Sequence, residues 1–142
     1  MKNLALLLFF LSVSSYAGSN LGLWGTTCDD DGFIFHFSEK STPLIINDNQ
    51  IVISIHAKEN ADNIINVFFD RTLDLGRGGM NFNWKSVSST MKVAEMKVIN
   101  RTGFFTWNGF FDNRKKKYFW VKNPDFVKTY AENGVITLHK CK

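Results

Sequence analysis

The sequence predicts a mainly β protein, a small antiparallel barrel or sandwich of about seven to eight strands with one short C-terminal helix (about 124–132) before the last strand. Three observations carry this prediction. Short β-branched and aromatic runs alternate with polar turn clusters at intervals of roughly ten residues. Phe33, Phe35 and Phe37 recur at a period of two, as one buried face of a strand requires. Aromatic residues make up 15% of the 142 residues and 14 of them are Phe, ample for one well-filled core.

The elements follow in chain order. Leu21–Thr27 reads as the first strand and ends at the turn Asp29-Asp30-Asp31-Gly32. Phe33–Phe37 is the second, broken by Ser38–Pro43. Leu44-Ile45-Ile46 and Ile51–Ile55 flank Asn47-Asp48-Asn49-Gln50, a hairpin signal. Ile64–Phe69 is apolar and fits a strand or a short helix, and Gly76-Arg77-Gly78-Gly79 reads as a flexible turn. Phe82–Trp84, Met91–Ile99 and Phe104–Phe111 read as further strands, the last two joined by Asn100-Arg101-Thr102-Gly103. A hairpin is expected between Phe104–Phe111 and Tyr118–Lys122, turning at Asp112–Lys117, with Phe105, Trp107, Phe111, Phe119 and Trp120 available for cross-strand pairing. Asn123 as N-cap, Pro124 at N1 and Gly134 as C′ residue frame the helix, whose buried face would be Phe126, Val127, Tyr130 and Ala131. Val135–Cys141 closes the chain as a final strand.

Met1–Ala17 has the layout of a secretory signal peptide: Lys2, an apolar run from Leu4 to Leu11, then Ser15 and Ala17 at the −3 and −1 positions of a cut. The run is far shorter than the ~20 residues that span a bilayer, so stable membrane insertion is not expected. Cleavage would leave Gly18–Lys142 as one disulfide-tied β domain in a periplasmic or secreted setting. The sequence carries two cysteines, Cys28 and Cys141, near opposite ends of that domain. In an oxidising compartment such a pair reads as a disulfide, worth roughly 4–5 kcal/mol for a loop this long by the chain-entropy account. The formal charge of +4 falls by one without Lys2, too mild an excess to require nucleic acid.

No catalytic frame emerges. Gly76–Gly79 lacks the spacing of a phosphate-binding loop, and no G-x-S-x-G elbow presents a nucleophile. Asp29–Asp31 do not follow the interleaved pattern of a calcium loop. His36, His56 and His139 lie in separate expected strands without the local spacing of a metal site, so neither metal nor cofactor is expected. The sharpest charged feature is Arg114-Lys115-Lys116-Lys117 at the expected hairpin tip. Together with Arg77 in the Leu75–Asn81 loop, these cations are the candidate partner-binding residues, and an acidic protein is the partner they suit.

Gly22-Leu23-Trp24 resembles the G-x-W opening of the lipocalins, where the Trp closes one end of an eight-stranded barrel around a small apolar ligand. The resemblance covers these three residues. The family's later T-D-Y segment has no counterpart, and no Arg follows Arg114 to pack on Trp24. Two functions are therefore expected in order. The first is a non-enzymatic protein that binds another protein, as small β inhibitors and immunity proteins do against wall- or membrane-targeting enzymes. The alternative is a lipocalin-like carrier of a small apolar ligand.

Overall fold

A computed structural model describes residues 18–47 and 51–142. The expected leader Met1–Ala17 lies outside the described residues, as does most of the Asn47–Gln50 turn. The chain forms β1 (Gly22–Gly25), β2 (Ile34–Phe37), β3 (Thr42–Asn47), β4 (Ile51–Glu59) and β5 (Ile64–Asp74). It continues through β6 (Lys92–Ile99), β7 (Thr102–Trp107), β8 (Phe110–Asp112), β9 (Lys117–Phe119), α1 (Asp125–Tyr130) and β10 (Ile136–Lys140). Eight strands form one antiparallel, nearly closed barrel-shaped sheet in the order β2-β1-β10-β7-β6-β5-β4-β3; the sequence predicts the mainly β class, and the structure resolves its barrel-or-sandwich alternative in favour of the barrel. Strands β8 and β9 form a separate two-stranded sheet.

Successive strands of the large sheet are mostly spatial neighbours, and β1 pairs with both β2 and β10. The seam of the barrel lies between β2 and β3. It is drawn together by the Ala57 amide donating to Ser38 O at 2.7 Å and the Thr42 hydroxyl donating to His36 O at 3.0 Å. Pro43 lies inside β3 rather than before it, which is tolerable because β3 is an edge strand and needs no outward N–H there.

The period of two along β2 buries Phe35 and Phe37. Their rings meet at 5.6 Å, and Phe35 also touches Phe105 at 4.5 Å and Phe126 at 5.2 Å. Phe126, projecting from α1, reaches Trp107 on the neighbouring wall at 5.4 Å. Each such ring contributes on the order of 1.5–3 kcal/mol through burial. The helix is shorter than expected: Pro124 is its N-cap, Ala131 its C-cap, and no side chain caps it. Gly134 instead occupies a turn between Glu132 and Val135, with φ +81.

Two further expectations are corrected. Phe82–Trp84 is not a strand but leads into a 3-10 turn at Trp84–Ser86. Because β5 and β6 pair directly with each other, the segment between them has no barrel edge to join. Phe104–Phe111 is also not one continuous arm. It breaks at Asn108-Gly109, where Gly109 has φ +94 and a Cβ would stand 2.4 Å from Phe119 O. The break lifts β8 off the barrel, so Phe105 and Trp107 remain in the barrel core while the hairpin is Phe110–Asp112 against Lys117–Phe119.

Cys28 and Cys141 are bonded, with Cα atoms 5.5 Å apart across a separation of 113 residues. The bridge fits an oxidising environment and sits beside the β1–β10 ladder, where the Cys141 amide donates to Leu23 O at 2.9 Å. Replacement of Cys28 by Ser is expected to lower the melting temperature by on the order of ten degrees. Two titratable thiols in the folded, unreduced wild type would refute the bridge.

Candidate functional site

The turn of the β8–β9 hairpin is shaped by one carboxylate. Asp112 is 9% exposed, and its Oδ1 accepts the Arg114 amide at 2.8 Å and the Lys115 amide at 3.2 Å. This is the local capping that Asp favours in turns. The Lys116 amide then donates to Asp112 O at 2.8 Å, with Lys116 in the left-handed region at φ +54. Burial works against ionisation of Asp112. The Arg114 and Lys115 amides, the Ser86 hydroxyl and the Lys115 charge outweigh it, holding the carboxyl below its ordinary range. A second set of bonds docks the hairpin on the Trp84–Ser86 turn: Asn113 N–H to Ser86 O at 2.9 Å and Ser88 N–H to Phe111 O at 2.8 Å.

Packing completes the mounting. Phe82 stacks on Phe119 at 5.7 Å and meets Trp120 edge-on at 5.0 Å. Trp84 contacts Phe110 at 5.1 Å and donates its Nε1 hydrogen to Gly79 O at 2.7 Å. Trp107 reaches from the barrel wall to Trp120 O with a 3.0 Å hydrogen bond. The basic tip is therefore held on both sides rather than waving free.

Between the tip and the segment before Trp84 lies a groove of about 650 Å³. Arg114, Lys115 and Lys117 line it as cations, Asn81 and Asn83 as amides, and Phe82 and Phe119 as rings. Two stretches far apart in sequence are thus brought into one surface. Lys116 and Arg77 are exposed but do not line the groove, and Arg77 stays on the turn at residues 76–78.

The three histidines do not assemble. His36 and His139 are exposed on β2 and β10, whereas His56 on β4 stacks against Phe68 and places Nδ1 2.5 Å from Asp70 Oδ1. Asp70 also accepts the Ser41 hydroxyl at 2.7 Å. Among the described residues, no group of three or more His, Cys, Asp or Glu side chains is placed to hold a metal ion.

A second constellation sits on the β1–β10 ladder, where Trp24 and Lys140 are register partners, and sequence reasoning missed it. Lys140 Nζ sits 5.2 Å from the Trp24 ring centroid and donates to Asn20 O at 2.8 Å and to Leu21 O. Burial pulls the ammonium below its ordinary range, Glu59 opposes the shift and Arg101 adds to it. Lys140 takes the place beside Trp24 in which an Arg was sought. The signal was present, since Ile136, Leu138 and Lys140 share one side of β10 and the first two are buried.

No family model matches the chain, and neither a curated protein nor a solved structure matches it.

Asp112 gives the site a pH dependence. A carboxyl whose folded value is lowered adds stability that is complete above its unfolded value and is lost as pH falls through the folded one. The amide resonances of Arg114 and Lys115 are therefore expected to titrate together with a midpoint below the ordinary 3.8. A midpoint at or above that value would remove Asp112 as the anchor.

Proposed function

We propose that this protein is exported to a periplasmic or extracellular compartment and acts there, without catalysis, by binding an acidic protein. Inhibitors and immunity proteins directed against wall- or membrane-targeting enzymes are the class it fits. The observation that carries this reading is the mounting of Arg114, Lys115, Lys116 and Lys117 on a hairpin fixed at both flanks. Among the described residues the ion pairs are His56–Asp70, Lys92–Glu95 and Lys128–Asp125, and none draws on the tip. Four neighbouring cations exposed to water attract an acidic surface over a Debye length, and the hairpin backbone that carries them is already fixed before contact. The Cys28–Cys141 bridge supports the compartment.

The alternative, a carrier of a small apolar ligand, draws support from the β1–β10 closure and from Lys140 over Trp24. Against it, the rings of Phe35, Phe37, Phe105 and Phe126 fill the space between the walls and would have to move for a ligand to enter. Saturable quenching of tryptophan fluorescence by fatty acids at micromolar concentration would favour the carrier.

Replacing Lys115, Lys116 and Lys117 together by Ser tests the first reading. Substitutions at exposed positions such as these usually change stability by less than ~0.5 kcal/mol, so the melting curve should hardly move. Association with a partner captured by cross-linking from the native envelope should slow several-fold, with a flatter dependence on salt. An unaltered rate and salt response would show the tip to be only a solvated turn.

A further inference from the structure

We propose that the groove beside the tip receives a short segment of the acidic partner in which one bulky apolar side chain is flanked by carboxylates. The inference rests on the reading of the protein as a binder of an acidic protein and specifies what that partner presents. Three kinds of group converge on the groove. Arg114, Lys115 and Lys117 give it three cations against one lining carboxylate, and that carboxylate already accepts two backbone amides. A guanidinium takes a carboxylate through two parallel bonds, while the ammonium groups act as mobile point charges. Opposite in chemistry are Asn81 and Asn83, exposed carboxamides that both donate and accept, as a peptide backbone needs.

The rings decide between an acidic peptide and an acidic sugar or nucleic acid. A pyranose or a base needs an open aromatic face to stack on. Phe82 and Phe119 are only half-buried, yet they stack on each other with planes 22° apart. Phe82 further packs against Trp120 and Trp84, and Phe119 against Phe110. Much of their face area is thus spent within the protein, and what they offer is apolar edge. An aliphatic or aromatic side chain fits against such edges, and at about 650 Å³ the groove has room for one with its neighbours.

The test uses the exported protein and a capped pentapeptide, Asp-Glu-Leu-Glu-Asp, followed by NMR. Shifts are expected at the side-chain amides of Asn81 and Asn83 and at the backbone of Lys117 and Phe119. The K115S/K117S variant should bind at least tenfold more weakly, with its melting curve unchanged. A peptide with Gly in place of Leu should lose at least fivefold, which a purely electrostatic tip would not produce. Absence of shifts at the groove would overturn the inference, as would oligogalacturonate or single-stranded DNA moving the same resonances at equal or lower concentration. If the peptide misses the groove while the triple Ser variant still slows partner association, the groove assignment falls and the functional reading stands. If the peptide fills the groove while partner association ignores the tip, the functional reading falls and the groove remains an acidic-peptide site.

Discussion

The pairing of β1 with β10 is the contact on which the rest of the architecture hangs, because it converts a meander with two loose ends into a barrel. Only two register pairs hold it, Trp24 with Lys140 and Gly25 with His139. So short a ladder is weak by itself, and three other interactions reinforce it: the Cys28–Cys141 bridge, the hydrogen bond from Cys141 to Leu23, and the Lys140 ammonium clamped between the Trp24 ring and two carbonyls. With β1 in place, β2 brings Phe35 and Phe37 over the core, and Phe126 on α1 packs against them.

The peripheral hairpin uses a different logic. Its sheet is too small to be stable alone, since two strands bury little. It borrows stability from the barrel through Trp107, which is buried in the wall and bonds to Trp120, and from the preceding loop through Phe82 and Trp84. The basic tip thus gains a fixed orientation while its side chains remain in water. Charge and rigidity are supplied by separate residues, so the cations can be changed without dismantling the mount.

What was legible in the sequence is what local spacing encodes. The alternation of Phe33, Phe35 and Phe37, the turn chemistry of Asn100-Arg101, the cysteine pair and the helix near Pro124 are all short-range signals. The misreadings share a cause as well. Phe82–Trp84 has strand composition, but sheet edges are a global resource and β5 and β6 had already consumed theirs. Asn108-Gly109 interrupts a run whose side chains look continuous, and only the close approach of Phe119 O explains why glycine stands there. Pro43 looked like a terminator because the edge position of β3 cannot be seen from within the strand. For the site, the charge of 114–117 was evident, whereas its meeting with Asn81 and Asn83 depends on how the hairpin docks. Lys140 is hidden in the sequence because the lipocalin resemblance points to an Arg, whereas a cation of either kind suffices on the side of β10 that carries Ile136 and Leu138.

The distance between the partners of the closing ladder has a consequence for how the chain is assembled. Strands β3 to β7 are linked by short connections or by the single longer loop before β6, so their pairing closes small loops and carries little entropic cost. The β1–β10 ladder, in contrast, joins the first of the described strands to the last. Until β10 emerges, β1 and β2 can form only a small ribbon with an open edge, and Cys28 has no thiol to meet. Oxidation requires the segment that carries β10, and once formed the bridge holds the two strands of the ladder together across 113 residues of chain, cutting the entropic cost of pairing them.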